Sequence, residues 1–284
     1  MKMEMIKEFK KYLEDEKKST NTIKCYILNL ASYIKWFKDS FNRDLKILYK
    51  QNILDYKSFL MLNKKYNSKT INNKLSALKK FNEFLIEKGS QSEMVIKNKD
   101  MLKIQTEYTS PTTITEAEVK YFLQIILETG KNRNYFLVVL LAYTGLRISE
   151  SLDIKKNEFN LVTRECLIKQ GKNKKQRTIL LNDKVVIAFK EYLKERNLMP
   201  IESNFLFVSN RGTKLSRITI NQLFNKYSTK ITPHKLRHFF CTNAIEKGMS
   251  IHEVAYLAGH SNIHTTLLYT NPDKQKMIEK MNAL

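Results

Sequence analysis

All five histidines of this 284-residue chain lie between His234 and His264. The segment TPHKLRHFF places His234, Arg237 and His238 at positions i, i+3 and i+4. These three residues would share one face of a helix that Pro233 can begin. Histidines clustered in this way are typical of a metal site or of an acid–base site.

A metal site is one interpretation of this cluster. The spacing H-x3-H, which can chelate zinc from a helix, occurs once in TPHKLRHFF and once in LAGHSNIHTTLLYT. The string that begins at His252 starts like the zinc-protease motif HExxH, but Tyr256 stands where the second histidine belongs. Arg237 would also place a cation beside the metal. A metal-dependent nuclease therefore remains the weaker alternative.

Phosphoryl transfer without a metal is the other interpretation. Its transition state carries negative charge on the non-bridging oxygens, and guanidinium groups match such oxygens with two hydrogen bonds. Arg237 is one candidate, and Arg147 in TGLRISE is a second, in a sequence apolar enough to predict a buried position. The structural alternative for Arg147 is a salt bridge to Glu150. A helix N-terminus near Arg147 would add backbone donors for a phosphate.

Four segments in order resemble the motifs of the tyrosine recombinase, or phage integrase, family. They are TGLRISESL (Thr144–Leu152), GKNKKQRTILL (Gly171–Leu181), HKLRH (His234–His238) and LAGHSNIHTTLLYT (Leu257–Thr270). The N-terminal pattern, with SALKKFNEFL near its end, is similar to the helical core-binding domain of that family. Any one of these motifs alone is weak, but their order and spacing together are specific.

The resemblance assigns roles to the cations. Arg147 and Arg237 would hold the scissile phosphate and stabilise its transition state. Lys172 would be the general acid that protonates the departing 5′-hydroxyl. Its neighbours in the hairpin, such as Lys174, are expected to contact the DNA backbone.

The resemblance also assigns the remaining site residues. Tyr269 would be the nucleophile and would form a 3′-phosphotyrosyl link. His234 would be the base or hydrogen-bond partner near it, and His260 a further donor to the phosphate. Glu150 is expected to support the pocket, and His238 to pack beside it. No cofactor and no metal is expected.

Helices must position these residues, and the first hundred residues predict four of them. Apolar residues recur at helical spacing over 5–13, 23–37, 51–62 and 71–85. The single tryptophan, Trp36, lies on the apolar stripe of the second helix and is expected in a core. Four amphipathic helices of this length predict a small bundle.

The periodicity fades before the second half of the chain. We expect a core-binding domain over residues 1–104, a linker over 105–113 and a catalytic domain over 114–284. Thr115 and Glu118 form a capping-box sequence at the start of the second domain. The resemblance implies that a C-terminal helix in the sequence DKQKMIEKMNAL docks into a neighbouring protomer, and the alternative is a helix that packs on its own domain.

The second domain is predicted to be mostly helical with a small antiparallel sheet. Two β-like runs, 165–170 and 177–181, flank a Gly-Lys-Asn turn that indicates a hairpin. A buried helix is interrupted at Thr144-Gly145, and helical patterning returns over 184–197. The predicted fold class is therefore mainly α, with a SAM-like N-terminal domain and a helical recombinase catalytic domain.

The charge of the chain agrees with a polyanionic partner. It carries 50 Lys and Arg against 28 Asp and Glu, a formal net charge of +22. The first 110 residues hold 23 of these bases and 13 of the acids, so both halves are basic. This distribution suits a protein that holds nucleic acid from two sides, although a genome rich in A and T could account for part of the lysine.

The cysteines and the apolar runs exclude several classes of protein. Cys25, Cys166 and Cys241 are odd in number and widely separated, which disfavours a disulfide scaffold, and we expect them to be buried thiols. The longest apolar run, 136–143, is too short to span a bilayer, and the N-terminus resembles no secretory signal. A cytoplasmic protein without a membrane partner is expected.

We therefore expect a site-specific DNA recombinase that cuts and rejoins strands through Holliday junctions. The resemblance implies a dimer on each duplex site and a tetramer at synapsis. Because the sequence leaves no room for an additional arm-binding domain, it is more similar to Xer-like recombinases and transposon resolvases than to heterobivalent phage integrases. One alternative is a DNA-binding regulator on a recombinase scaffold. Another is a type IB topoisomerase, which would share the cleavage chemistry.

Overall fold

The computed structural model describes residues 2–103, 114–169, 176–260 and 262–267, together with positions 278, 281 and 282. The chain divides into two compact units, Met1–Glu107 and Tyr108–Leu284. Most described residues are helical, and the strands form a small antiparallel sheet, as predicted. The predicted linker, residues 105–113, lies outside the described residues.

The first unit is a bundle of helices that matches the four predicted amphipathic segments. They are α1 (Lys2–Asp15), α2 (Thr20–Phe41), α3 (Lys50–Leu62) and α4 (Ser68–Glu87). Two of these helices begin at side-chain caps, because Ser19 accepts a hydrogen bond from the Thr22 amide and Asn67 accepts one from the Thr70 amide.

Aromatic rings fill much of the core of the first unit. Phe9 of α1 meets Phe81 of α4 edge to face, with ring centroids 5.2 Å apart. Trp36 packs against Tyr33 and Tyr56 at centroid distances of 5.6 and 4.9 Å. Trp36 is partly buried and packs against this core, in agreement with the position predicted for it.

The second unit carries the other helices and the sheet. Its described elements are α5 (Glu116–Glu128), α6 (Asn132–Thr144), α7 (Ile148–Asp153), β1 (Phe159–Asn160), β2 (Glu165–Lys169), β3 (Gln176–Leu180), α8 (Asp183–Leu198), α9 (Arg217–Tyr227), α10 (Pro233–Glu246), α11 (Ile251–Ala258) and α12 (His264–Leu267). The capping box predicted at Thr115 and Glu118 begins α5.

The sheet has the order β1-β2-β3, and both pairings are antiparallel. Cys166 pairs with Ile179, and Ile168 pairs with Arg177. The two longer strands are those predicted from the β-like runs. We did not predict β1 from its residues, because two residues show no alternation of apolar and polar side chains.

Helix α6 is the central element of the second unit. Its residues Phe136–Ala142 are all buried, and it packs against α5, α8 and α10. An amphipathic stripe is absent because every face meets another element. Nowhere in the described ranges is a helix both long and apolar enough to cross a membrane.

The three cysteines are free thiols. Cys166 and Cys241 are buried as predicted, and burial raises the pKa of the Cys241 thiol to about 11. Cys25 is exposed on α2, so the prediction of burial is wrong for that residue. Its position on the solvent face of an amphipathic helix accounts for the difference.

The buried side-chain amide of Asn82 allows a test of the packing of the first unit. Asn82 is fully buried, and its side chain donates to the Glu93 carbonyl at 3.1 Å and accepts from the Val95 amide at 2.8 Å. Asn82→Leu leaves both backbone groups without this partner, so we expect the free energy of unfolding of the full chain to fall by about 3 kcal/mol. Urea denaturation measures it. The matched control is Asn73→Leu at an exposed position of the same helix, and equal losses in the two variants would contradict the expectation.

Candidate active site

Arg147 lies in the turn that joins α6 to α7. Gly145 ends α6 in a left-handed conformation, with φ of 65°. A Cβ atom at this glycine would lie 2.3 Å from Cδ1 of Phe240, so the turn requires glycine for both its conformation and its close packing. Arg147 is the residue before α7, and its side chain is 42% exposed. The predicted buried position of Arg147 is therefore wrong, because the turn directs the side chain away from the core.

Glu150 holds Arg147 in place. Oε1 of Glu150 accepts a hydrogen bond from Nη1 of Arg147 at 2.8 Å, and Oε2 accepts one from the Arg147 backbone amide at 2.8 Å. The salt bridge considered as the structural alternative for Arg147 is thus present. Because the arginine remains partly exposed, the salt bridge orients the guanidinium and still leaves it accessible.

Arg177, which we did not predict as a site residue, is a second partner of Glu150. It is 6% exposed and donates through Nη1 and Nη2 to the two carboxylate oxygens of Glu150, at 3.2 and 2.9 Å. The alternation of β3 could have identified it, because a period of two places Arg177 on the same face as the buried Ile179. An arginine on the buried face of a strand requires an acidic or carbonyl partner.

The pKa of Glu150 reflects these contacts. Burial alone would raise the pKa of this carboxyl. The hydrogen bonds and charge of Arg177, followed by the contacts with Arg147, outweigh burial and hold the pKa below its ordinary value. Glu150 is therefore an anion throughout the physiological range.

The C-terminal end of α11 meets the same cluster. Gly259 ends this helix with φ of 67°, and its carbonyl oxygen accepts from Nη2 of Arg147 at 2.9 Å. The next residue, His260, has its Nδ1 atom 2.8 Å from Oγ1 of Thr266, which is fully buried. The motif LAGHSNIHTT therefore places His260 beside Arg147 and fixes its ring through a nearby hydroxyl.

Arg237 approaches the α6–α7 turn from α10. This helix begins with Pro233 and is capped by the Thr232 side chain, as the sequence predicted for a helix at TPHKLRH. Arg237 is 5% exposed, and its Nη1 atom donates to the Gly145 carbonyl at 2.7 Å. Arg147 and Arg237 are far apart in sequence, but both lie at the α6–α7 turn.

The two histidines of HKLRH contact each other. Nε2 of His234 and Nε2 of His238 are 2.8 Å apart, a hydrogen-bond distance, one turn apart on α10. His234 is exposed, whereas His238 is partly buried. We predicted only packing for His238. The structure adds a hydrogen bond between His238 and His234, which the i, i+4 spacing alone could not specify. Within the described residues, no three Cys, His, Asp or Glu side chains are grouped to hold a metal ion.

The environment lowers the pKa of two histidines. Burial, then the neighbouring His234 and Arg237, lower the pKa of His238 to about 4. Burial, then Arg237 and Arg147, lower the pKa of His260 to about 4. Both rings are therefore neutral near pH 7.

Two predicted site residues, Lys172 and Tyr269, lie outside the described residues. In sequence, Lys172 falls between β2 and β3, and Tyr269 comes two residues after the end of α12. Their roles stay predictions.

The arrangement suits an anionic group with several oxygens. Arg147 and Arg177 both bind the carboxylate of Glu150, and Arg237 binds the Gly145 carbonyl of the neighbouring turn, so these three arginines leave an excess of positive charge. The α6–α7 turn adds the first amides of a short helix. Guanidinium groups held in place by such contacts bind phosphate oxygens without a large reorganisation.

Comparison with known sequence families identifies the family of the chain. The sequence model of the phage integrase family matches residues 112–276, and that of the phage integrase N-terminal SAM-like domain matches residues 6–89. The chain belongs to the phage integrase family. The resemblance found in the four sequence motifs is thereby confirmed.

Relatives within this family match over the full chain. The TnP I resolvase of Bacillus thuringiensis is 56% identical over 99% of this chain and 100% of its own length. The tyrosine recombinase XerA of Pyrococcus furiosus is 32% identical over 100% of this chain and 96% of its own. The expected similarity to transposon resolvases and Xer-like recombinases is confirmed.

Solved structures show the same fold. XerH, in a post-cleavage complex with a palindromic difH substrate, is 26% identical with a TM-score of 0.73, over 91% of this chain and 78% of that one. The Tn1549 transposon integrase, in complex with a circular intermediate DNA, has a TM-score of 0.75 at 22% identity, over 98% of each chain. This integrase supports the fold alone.

The lowered histidine pKa values predict how stability depends on pH. Between about pH 6.5 and 4 the unfolded chain protonates these rings while the folded chain keeps them neutral, so the free energy of unfolding falls as pH falls through this window. His260→Asn removes one of the two groups, and we expect a smaller loss of stability between about pH 7 and pH 5 than in the unaltered protein. Urea denaturation at both pH values measures it.

His252→Asn is the matched control, because His252 is exposed on α11. We expect this variant to lose as much stability on acidification as the unaltered protein. Identical losses in the His252 and His260 variants would show that His260 does not contribute to the dependence.

Proposed function

We propose that this member of the phage integrase family is a site-specific DNA recombinase that cuts and rejoins strands through a covalent tyrosyl intermediate. The observation that carries the proposal is the convergence of Arg147, Arg237 and His260 at the α6–α7 turn. Family membership and the 56% identity with the TnP I resolvase support the same activity. For the biological outcome, they favour resolution of a transposon cointegrate.

Cleavage would begin when the Tyr269 hydroxyl attacks the scissile phosphorus. The new bond joins the tyrosine oxygen to the 3′-phosphate, and the bond from phosphorus to the 5′-oxygen breaks. Lys172 would give its proton to that departing oxygen. The phosphodiester bond energy is kept in the phosphotyrosyl link, so the 5′-hydroxyl of another strand can reverse the step and form a Holliday junction.

Arg147 and Arg237 would neutralise the non-bridging oxygens during this step. Each guanidinium is already held by an internal acceptor, so little reorganisation is needed when charge develops. A phenol with an ordinary pKa of about 10 also needs help to attack near neutral pH. The nearby cations would favour the phenolate, and the exposed His234 would accept the proton that the Tyr269 hydroxyl loses.

The partner would be duplex DNA, contacted by both basic units of the chain. The solved relatives support this partner, since XerH is described bound to its difH substrate. We also propose a dimer on each site, a tetramer at synapsis, a C-terminal helix that docks into a neighbouring protomer, and action in the cytoplasm. The domain boundaries 1–104 and 114–284 belong to the same proposal.

A nicked half-site DNA tests the covalent step. The nick lets the short cleaved strand diffuse away, so the covalent protein–DNA adduct accumulates and is counted on a denaturing gel. We expect the unaltered protein to form it and Tyr269→Phe to form none, because the nucleophilic oxygen is missing. We expect Arg147→Ala to slow adduct formation on the order of 10²–10³-fold, as the loss of an oxyanion donor does.

Tyr256→Phe is the matched control, because Tyr256 is 58% exposed on α11. It should form the adduct at the rate of the unaltered protein. An adduct in Tyr269→Phe would refute the assigned nucleophile, and no adduct in any protein would refute the proposed activity.

The net charge of +22 predicts a strong dependence of DNA binding on salt. A protein that neutralises six to ten phosphates loses about 10³–10⁵-fold in affinity between about 50 and 200 mM salt. We expect a loss of this size for a duplex site, measured by fluorescence anisotropy, and a nearly constant adduct rate once the protein saturates the DNA. A shallow dependence of the affinity on salt would contradict backbone contacts by both units.

A further inference from the structure

Arg177 joins two parts of the candidate active site. It is bound both to Glu150, which orients Arg147, and to the backbone just before His260. We propose that Arg177 is a positioning residue for strand cleavage, which holds Arg147 and His260 in the geometry that receives the phosphate. This inference rests on the proposed recombinase function.

All three guanidinium nitrogens of Arg177 have acceptors. Nε donates to the Leu257 carbonyl at 3.0 Å, Nη1 donates to Glu150 at 3.2 Å, and Nη2 donates to Glu150 at 2.9 Å and to the Ala258 carbonyl at 3.3 Å. These contacts join β3, α7 and α11, three elements far apart in sequence. A lysine could not form them together, because its ammonium group lacks the planar fork.

The end of α11 explains why a cation is needed at this place. The last carbonyl groups of a helix carry partial negative charge, which repels an anion. Here they lie next to the position proposed for a phosphate. Arg177 binds the carbonyls of Leu257 and Ala258, and Arg147 binds that of Gly259. The arginines therefore allow a helix C-terminus to present His260 without repelling the DNA.

Gly259 gives Arg177 the space that it occupies. A Cβ atom at Gly259 would lie 2.6 Å from Cζ and 2.6 Å from Nη1 of Arg177. The guanidinium therefore packs directly against the backbone that leads to His260. A displacement of Arg177 would be transmitted to the histidine through this contact as well as through the hydrogen bonds.

Burial alone does not single out Arg177. Arg196 is 1% exposed, and its Nη1 and Nη2 atoms donate to the carbonyls of Ile201 and Ser203 at 3.4 and 3.1 Å. It joins the end of α8 to the following loop and contacts none of the proposed catalytic residues. Arg196 thus offers a matched control for the loss of a buried arginine.

The test compares Arg177→Met with Arg196→Met in the full chain. The rate of adduct formation on the nicked half-site is measured at saturating protein, and DNA affinity and unfolding are measured separately. We expect both variants to be less stable, and only Arg177→Met to lose cleavage rate, on the order of 10- to 100-fold, with DNA affinity nearly unchanged. Arg177→Lys should recover part of the rate because it keeps a charge beside Glu150.

DNA with a neutral methylphosphonate at the scissile position distinguishes a loss of Arg147 positioning from a general loss of folding. It lacks one anionic oxygen, so a displaced Arg147 should matter less. We therefore expect the defects of Arg177→Met and of Arg147→Ala, each relative to the unaltered protein, to shrink on this DNA. If Arg177→Met unfolds, Arg177→Lys is used for the same comparison.

Three outcomes would overturn the inference. They are an unaltered cleavage rate in Arg177→Met, an equal rate loss in Arg196→Met, and a defect that stays the same on methylphosphonate DNA. Failure of the proposed function is distinguishable, because the unaltered protein would then form no adduct on any substrate.

Discussion

The buried carboxylate of Glu150 is the interaction on which the site depends. Removing a carboxylate and a guanidinium from water costs several kcal/mol for each ion unless good geometry and further hydrogen bonds compensate. Glu150 meets this condition because Arg177 binds both of its oxygens and Arg147 binds both through its side chain and its backbone amide. The lowered pKa of Glu150 shows that these contacts outweigh burial. One anion therefore fixes the distance between α7 and β3 and the direction of Arg147.

Two helix ends bring the other groups to this carboxylate. Gly145 ends α6 and Gly259 ends α11, both in the left-handed conformation that glycine adopts without strain. Each of their carbonyl oxygens accepts from an arginine proposed to be catalytic, Arg237 in the first case and Arg147 in the second. The two helix ends thus provide the carbonyl acceptors that the arginines need. Because α6 is buried, the end at Gly145 is held in place.

Much of this arrangement could be predicted from the sequence, because short motifs encode it locally. The spacing HKLRH puts Arg237 and the two histidines on one helix, and the interruption of the buried helix at Thr144-Gly145 marks the turn before Arg147. Apolar periodicity gave the helices of the first unit with bounds close to those observed.

The remainder depends on contacts between distant segments. Arg177 lies 27 residues from Glu150 and 80 from Leu257, so no local pattern indicates its partners. The exposure of Arg147 depends on how the α6–α7 turn packs against Phe240, and its apolar neighbours in sequence suggested the opposite. The hydrogen bond between His234 and His238 depends on rotamers, which i, i+4 spacing allows but does not choose.

The charges around His260 also affect whether its ring is protonated. His260 lies close to Arg237 and Arg147, which with burial lower its pKa to about 4, so its ring is neutral while the site lacks an anion. A bound phosphate would offset these cations and raise the pKa, because an adjacent negative charge favours imidazolium. His260 would then gain affinity for a proton only when DNA is in place. Burial, together with the arginines that attract the phosphate, therefore keeps the histidine neutral before the anion arrives, which limits the electrostatic repulsion that the folded protein must sustain.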